Sequence, residues 1–185
     1  MNIHPVRVYT VGHSNRTLDE LIRILKTNDI KMLLDIRSYP FSRRHPQFAK
    51  ESLREAVIEQ DIQYHWAGRQ LGGMRKVTNA GVHSALPTAG LQGFAEYMKS
   101  EAFSKAMTQL VGLAAKGNTV MLCAEKVPEQ CHRSLISDYL DINSVKVIHL
   151  IDESTREEHR LNQGARRESN SLIYDRNVTT NLQFH

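Results

Sequence analysis

The feature that most constrains the fold is a run of residues that is apolar on both faces, from Lys31 to Ile36. A strand of this kind is buried on both sides, as a central strand of a parallel sheet is. Further runs typical of strands occur at residues 6–11, 119–122 and 145–151, and helical patterns lie between them. This alternation predicts a single α/β domain, a Rossmann-like three-layer sandwich with a mostly parallel sheet and helices on both faces.

Local signals set the bounds of several elements. Thr17-Leu-Asp-Glu20 is a capping box that begins a helix. A helix from about Phe48 to Gln60 and a short strand at Gln63–Trp66 follow two prolines. Leu91 to Lys116 predicts one long amphipathic helix. The segment from Gly68 to Gly90 is rich in glycine, threonine and asparagine, and it predicts a mobile loop or lid.

Composition bounds the class of protein. The 185 residues carry 24 basic and 20 acidic side chains, a net charge of +4, which permits an anionic partner without requiring one. The N-terminus lacks the pattern of a secretory signal, and no apolar run is long enough to cross a bilayer, so we expect a cytoplasmic protein that does not enter membranes. We expect one domain over residues 1–174 and a loosely held tail over 175–185. No pattern indicates an oligomeric state.

Both cysteines lie in one stretch, Val120 to Leu135, that runs from a predicted strand through a turn into a helix predicted from Cys131 onward. Unpaired N–H groups at the start of a helix attract anions. Three predicted strands end in polar clusters: Gly12-His13-Ser14-Asn15, Asp35-Ile36-Arg37-Ser38 and Cys123-Ala124-Glu125. Ligands of α/β sheets bind beyond the carboxyl ends of strands, so we expect these ends to line one pocket.

Four motifs carry a resemblance to a known family: Thr10-Val-Gly-His-Ser-Asn15, Leu34-Asp-Ile-Arg-Ser38, Cys123-Ala-Glu125 and Cys131-His-Arg-Ser-Leu135. Together they resemble the motifs of a widespread bacterial family, domain of unknown function 488. The resemblance extends to about Tyr174, and residues 175–185 have no counterpart in it. It implies a fold and a site, while the family's description names no reaction.

Cys131 is the candidate nucleophile. It lies at or just before the predicted helix, beside His132 and Arg133, and this position favours a thiolate. The alternative is that the cysteines pack in the core, as Cys123 at a strand end indicates. The loop of tyrosine phosphatases is excluded, because its cysteine-to-arginine spacing is shorter than that from Cys123 to Arg133.

The candidate general bases are Glu125 and Asp35, acting on water or a sugar hydroxyl, and His13 and His132 are the candidate proton donors or acceptors. The alternative for Asp35 is a cap on the following turn, and for His13 a hydrogen bond that fixes the first loop. Arg133 either holds a phosphate or carboxylate of the ligand, or pairs with one of these two carboxylates.

Arg37 is a second candidate anion clamp, since a guanidinium makes forked contacts with phosphate. Arg43 and Arg44 lie in a basic segment interleaved with aromatic residues, which suits a phosphate group with a base stacked nearby. The alternative is a solvated loop. The remaining predicted binding residues follow the strand ends: Gly12, Ser14, Asn15, Ser38 and Cys123.

The leading hypothesis is an enzyme that hydrolyses or transfers a group of a phosphorylated, nucleotide-like or nucleic-acid substrate. The alternatives are a non-catalytic nucleic-acid or effector-binding module and a thiol or metal protein. A metal site would draw on Cys123, Cys131, His132 and His13, although their spacing has no paired metal-binding signature. Glycine-rich dinucleotide and P-loop patterns do not occur, and we expect no cofactor.

Overall fold

A six-stranded sheet organises the chain, of which a computed structural model describes residues 6–169 and 171–176. Its strands are β1 (Arg7–Gly12), β2 (Met32–Asp35), β3 (Gln63–Trp66), β4 (Thr119–Cys123), β5 (Lys146–Leu150) and β6 (Arg156–Glu158). They lie in the order β3-β2-β4-β1-β5-β6. β6 is antiparallel to β5, and the other neighbours are parallel. A separate hairpin pairs β7 (Ala165–Glu168) with β8 (Ser171–Tyr174).

Helices cover both faces of the sheet. They are α1 (Leu18–Thr27), α2 (Lys50–Ile58), α3 (Gly68–Leu71), α4 (Ala89–Tyr97), α5 (Glu101–Ala114) and α6 (Arg133–Ile142). α1 and α2 pack on one face against alternate strand residues such as Leu33 and Val120. α4, α5 and α6 pack on the other face, where Leu34 and Met121 point. The predicted three-layer α/β sandwich is therefore confirmed.

Local signals explain the start of α1. The Thr17 side chain accepts a hydrogen bond from the Glu20 amide at 3.2 Å, and the Glu20 carboxylate accepts one from the Thr17 amide at 2.6 Å. These two bonds satisfy amide groups that the first helical turn leaves free.

No helix of the described residues is both long and apolar enough to span a bilayer.

The predicted single helix from Leu91 to Lys116 is wrong, because two helices, α4 and α5, occupy this stretch. The Ser100 hydroxyl accepts a hydrogen bond from the Phe103 amide at 3.2 Å and so begins a new helix. The bend brings the Tyr97 and Phe103 rings together, with centroids 6.0 Å apart. Both helices have apolar residues on their inner faces, so periodicity alone did not show the break.

The segment predicted to be a mobile loop or lid is held by several contacts. Its first residues form α3, and the amides of Thr78 and Asn79 donate to the Glu96 carboxylate at 2.8 and 2.9 Å. His83 is buried, and the Ala85 amide donates to the Tyr174 carbonyl at 2.9 Å. The structure therefore joins this segment to α4 and to β8 rather than leaving it free.

The C-terminal hairpin is joined to the main domain by a buried carboxylate. The Tyr174 hydroxyl donates to Asp138 of α6 at 2.9 Å. The Asp175 carboxylate accepts hydrogen bonds from the Arg166 guanidinium at 2.8 Å. The loosely held tail predicted over 175–185 lies outside the described residues from Asn177 onward, and the boundary at residue 174 stays a prediction.

The strand order creates a crevice between two neighbouring strands. β1 and β4 pair in parallel, but α1, which follows β1, and α6, which follows β4, pack on opposite faces of the sheet. Ligands bind at such switch points, where the two connections diverge. β2 pairs with the other side of β4, so the carboxyl ends of all three strands lie side by side.

Two helical glycines test how the segment before α4 packs. A Cβ at Gly93 would lie 2.6 Å from the Arg75 carbonyl oxygen, whereas a Cβ at Gly112 would meet nothing within 4 Å. We expect Gly93→Ala to lower the free energy of unfolding by about 1–3 kcal/mol. Gly112→Ala should raise it by about 0.5–1 kcal/mol, since alanine favours helix more than glycine does. Urea unfolding measures both, and a stabilising Gly93→Ala would contradict the packing described.

Candidate functional site

A cleft of about 580 Å³ opens beyond the carboxyl ends of β1, β4 and β2. Predicted site residues from all three strand ends line it: His13, Arg37, Ser38, Cys123, Glu125, Cys131 and His132. Others do not line it: Gly12, Ser14, Asn15, Asp35, Arg43, Arg44 and Arg133. The cleft therefore brings together about half of the predicted residues, and the rest lie outside its lining.

β1 and β4 approach each other closely at the mouth of the crevice. A Cβ at Gly12 would overlap the Glu125 carbonyl group, so only glycine fits there. The amides of His13 and Ser14 donate to the carbonyls of Cys123 and Ala124 at 3.0 and 2.8 Å. Ser14 has a φ of 47°, in the left-handed region. Gly12 and Ser14 thus position the loop after β1 instead of lining the cleft.

His13 is a buried imidazole on the wall of the cleft. Its ring stacks on Phe48 with centroids 4.5 Å apart, and burial lowers its pKa to about 4. Nδ1 lies 3.0 Å from the Ser14 carbonyl oxygen. Because a carbonyl only accepts, this contact assigns the proton of the neutral ring to Nδ1. Nε2 then carries a lone pair and can accept a proton or a hydrogen bond.

Asp35 does not line the cleft, so its carboxylate is not in the position that its predicted role as a general base requires. The carboxylate is fully buried and accepts hydrogen bonds from Arg37 Nε at 2.8 Å, Arg37 Nη2 at 2.5 Å and the Tyr64 hydroxyl at 2.7 Å. It also accepts from the Arg37 amide at 3.1 Å, so the alternative of a cap on the following turn describes it correctly. Arg37 lines the cleft, but its charge is already paired.

Arg133 lies beneath the cleft, and its side chain pairs with neither of the two carboxylates named as alternatives. Its Nη1 donates to Cys123 Sγ at 3.2 Å and to the Glu125 carbonyl, and its Nη2 donates to the Lys126 carbonyl at 2.8 Å. The side chain is only 1% exposed, and burial lowers its pKa to about 10. No carboxylate among the described residues forms an ion pair with it. Arg133 therefore fixes the turn after β4 and leaves a positive charge without a carboxylate partner.

The two cysteines meet at the floor of the cleft. Their Sγ atoms are paired as a disulfide, and their Cα atoms are 7.5 Å apart. Cys131 follows the short 3-10 helix Pro128–Gln130 and precedes α6, which begins at Arg133 and not at Cys131 as predicted.

His132 supports Cys131 from the side. Its Nδ1 lies 3.5 Å from Cys131 Sγ, and its ring packs edge-on against Phe94 at 5.0 Å. Burial lowers the pKa of His132 to about 4, and the nearby carbonyls of Leu71 and Ile36 oppose this effect. Nε2 is buried and has no hydrogen-bond partner among the described residues. When Cys131 is reduced, Nδ1 can accept a hydrogen bond from its thiol, which places the proton of the neutral ring on Nε2.

The rim of the cleft combines exposed aromatic and apolar residues with an exposed carboxylate. Tyr39 is 75% exposed, Phe41 is 73% exposed and Met74 is 72% exposed, and all three line the opening. Glu125 lies at the same rim and is exposed. Arg43 and Arg44 are exposed in the same loop as the aromatic residues but do not line the cleft.

Sequence reasoning missed the contribution of residues 73 and 74. Gly73 has no predicted role in the site, yet a Cβ there would lie 2.5 Å from His132 Nδ1. The paired glycines at 72 and 73 were the only signal of this close approach. Met74 had no signal, because its place on the rim depends on a hydrogen bond from its amide to the Ser38 hydroxyl at 3.1 Å. No group of three or more His, Cys, Asp or Glu side chains within the described residues is arranged to hold a metal.

Comparison with known proteins identifies a family. The family model described as Domain of unknown function DUF488 matches residues 17–140, which is more than half of the chain. This span is narrower than the predicted one, which began at Thr10 and extended to about Tyr174. No curated protein and no solved structure matches the chain.

Acid should destabilise the fold through the buried imidazoles of the cleft. The pKa of His13 and of His132 is about 4 in the folded protein and near the ordinary 6.5 in the unfolded chain. The unfolded chain therefore binds more protons between these values, and the free energy of unfolding falls as the pH drops from about 6.5 to 4. His13→Gln should remove its share of this slope, roughly 3 kcal/mol over the window. Urea titrations across pH measure the slope, and an NMR titration of His13 near pH 6.5 would contradict the prediction.

The buried pair of Asp35 and Arg37 should be structural. Asp35→Asn leaves a buried guanidinium without its partner and should lower the free energy of unfolding by about 3 kcal/mol or more. Tyr64→Phe, the matched control, removes one hydrogen bond to the same carboxylate and should cost about 1–2 kcal/mol. Urea unfolding measures both. A fully stable Asp35→Asn protein would show that the pair does not hold the strand end.

Proposed function

The chain belongs to the family of domain of unknown function DUF488, and we propose that it is an enzyme that binds a phosphorylated, nucleotide-like substrate in the cleft and hydrolyses it or transfers a group from it. A cytoplasmic location and an anionic small molecule or nucleic acid as partner belong to the same proposal. Three features of the cleft support it: its rim, its charge and the groups on its wall.

The observation that carries the proposal is the pair of exposed aromatic side chains at the rim. The Phe41 amide donates to the Tyr39 carbonyl at 2.8 Å, and this tight turn holds both rings at the opening of the cleft. Large exposed apolar side chains that cluster at one opening are typical of binding sites. Nucleobases stack on aromatic rings in this way, and stacking tolerates any base.

The charges around the cleft favour an anion. Arg133 lies under the floor without a carboxylate partner, and Arg43 and Arg44 are exposed beside the aromatic rim. Arg37 adds little, because Asp35 neutralises it. Basic groups on both sides of a recessed site raise the local concentration of anionic ligands. These positive charges would attract a phosphate group that lies between the rim and the floor.

Two side chains on the wall can handle protons. His13 has an unprotonated Nε2 at neutral pH, because burial lowers its pKa to about 4. It can accept a proton from an attacking water or hydroxyl group. Glu125, exposed at the rim, supplies the carboxylate that the buried Asp35 cannot. His132, whose Nδ1 faces Cys131, is not free to serve the substrate.

Stacking at the rim predicts a selective loss of affinity. Phe41→Ala should weaken the binding of a nucleoside monophosphate about fivefold or more, since a stacked base contributes about 1–3 kcal/mol. Binding of inorganic phosphate should not change. Ile58→Ala removes an exposed apolar side chain outside the cleft and is the matched control. Calorimetry measures all three proteins, and equal losses for both nucleotide and phosphate would contradict stacking.

The enzymatic part of the proposal has a separate test. Wild-type protein incubated with nucleoside and deoxynucleoside phosphates should release a product that mass spectrometry detects. His13→Gln and Glu125→Gln should abolish or strongly reduce its formation, while Glu129→Gln, exposed but outside the cleft lining, should retain it. Binding without any product would favour the non-catalytic effector-binding module. If the folded protein neither binds these compounds nor forms a product from them, the proposal is wrong.

A further inference from the structure

Each sulfur at the floor of the cleft has a polar partner of its own. Arg133 Nη1 donates to Cys123 Sγ at 3.2 Å, and His132 Nδ1 lies 3.5 Å from Cys131 Sγ. A guanidinium stabilises a thiolate, and an imidazole acceptor removes the proton of a thiol. A cysteine pair that served only to staple the fold would not require these two partners.

The charge of Arg133 points to a thiolate on Cys123. This guanidinium is almost fully buried, no carboxylate of the described residues lies within ion-pair distance of it, and the charges of Glu125 and Glu129 offset its burial only in part. A buried charge without a counter-charge is costly. A Cys123 thiolate 3.2 Å from Nη1 would neutralise it. The reduced state of the pair therefore has a built-in source of stabilisation.

The segment between the two cysteines is held in its first half and exposed in its second, since Ser14 and Arg133 donate to the carbonyls of residues 124–126 only. Ala124, Glu125, Lys126, Val127, Glu129 and Gln130 are exposed, and only Pro128 is buried. The Cα atoms of Cys123 and Cys131 are 7.5 Å apart, just beyond the range of about 4.4–6.8 Å in which most disulfides are found. Making and breaking the bond thus requires a small shift of Cys131, and residues 127–130, which lie beyond the carbonyls that Arg133 holds, can absorb it.

From these contacts we propose that Cys123 and Cys131 form a redox-active pair that exchanges two electrons with a low-molecular-weight disulfide entering the cleft. Both residues line the cleft, and Cys131 is the more exposed of the two. The proposal does not rest on the nucleotide-like substrate, and either can fail without the other.

The exchange proceeds in two balanced steps. The Cys131 thiolate attacks one sulfur of the external disulfide, so that a mixed disulfide forms and one external thiolate leaves. The Cys123 thiolate then attacks the Cys131 sulfur, the bond between the two cysteines forms, and the second external thiolate leaves. The external disulfide gains two electrons, and the two protons lost by the cysteines end on the released thiols. His132 Nδ1, 3.5 Å from Cys131 Sγ, can accept the thiol proton in a hydrogen bond and pass it on to water, because its pKa of about 4 does not let it keep the proton.

Equilibration with glutathione tests the pair directly. The full chain is incubated without oxygen in mixtures of reduced and oxidised glutathione, quenched with acid, alkylated and weighed by mass spectrometry. We expect two species, a dithiol and an internal disulfide, whose ratio follows that of the glutathione forms. Protein that stays reduced in excess oxidised glutathione would overturn the proposal. Protein that stays oxidised in excess reduced glutathione would do the same, since it would show a purely structural disulfide.

Single-cysteine variants test the order of the steps. Cys123→Ser should accumulate a mixed disulfide of Cys131 with glutathione, because the resolving thiol is absent. Cys131→Ser is the matched control. It should react with glutathione at least about tenfold more slowly than Cys123→Ser, since Cys123 is the more buried thiol. The opposite ranking would overturn the assignment of Cys131 as the attacking residue.

Arg133 is a positioning residue in this scheme, and its effect can be read from one thiol. In the Cys131→Ser background, Arg133→Met should move the pH profile of Cys123 alkylation upward by about one pH unit or more. Arg54→Met, an exposed control on α2, should leave the profile unchanged, and Arg133→Lys should move it less than Arg133→Met. If Arg133→Met does not fold by circular dichroism, Arg133→Lys decides. An unchanged profile would show that Arg133 does not stabilise the thiolate.

Discussion

The close approach of β1 and β4 at their carboxyl ends is the constraint on which the cleft depends. The backbone after Gly12 runs along the end of β4, and hydrogen bonds from His13 and Ser14 to the carbonyls of Cys123 and Ala124 hold it there. Arg133 closes the same junction from below, because it donates to the carbonyls of Glu125 and Lys126. A side chain at residue 12 would separate these elements and with them the two walls of the cleft.

The two arginines near the cleft differ in how their charges are compensated. Arg37 forms a buried ion pair with Asp35, which also accepts a hydrogen bond from Tyr64. The charge of Arg37 is therefore neutralised. Arg133 is equally buried but binds only carbonyl oxygens and a sulfur. One arginine therefore stabilises a strand end, while the other leaves the floor of the cleft positive. This contrast explains why the thiol chemistry is assigned to the β1–β4 side of the opening, whereas the aromatic rim belongs to the loop after β2.

A second buried network fixes α6, the helix that supplies Arg133. Asp138 accepts hydrogen bonds from His159 Nε2 at 2.8 Å and from the Tyr174 hydroxyl at 2.9 Å. His159 Nδ1 lies 2.9 Å from His149 Nε2, and His149 Nδ1 lies 2.7 Å from the Thr10 hydroxyl. If each group donates its proton towards Asp138, every polar side-chain atom of this hydrogen-bond network has a partner. The network joins α6 to β1, to β5 and to the C-terminal hairpin, and it limits how far the helix can shift beneath the cleft.

The sequence by itself determined the α/β class, the start of α1 at its capping box, the bounds of β3 and the polar strand ends, because periodicity and capping depend on residues close in the chain. It did not show that Asp35 is closed off by Arg37 and Tyr64, that Arg133 reaches Cys123, or that Gly73 lies against His132. Apart from the local pair of Asp35 and Arg37, those contacts join residues from different elements and follow from the order of strands in the sheet. Strand order is set by the burial of whole faces and not by any local pattern, so only the tertiary structure decided which polar groups face the cleft and which lie beneath it.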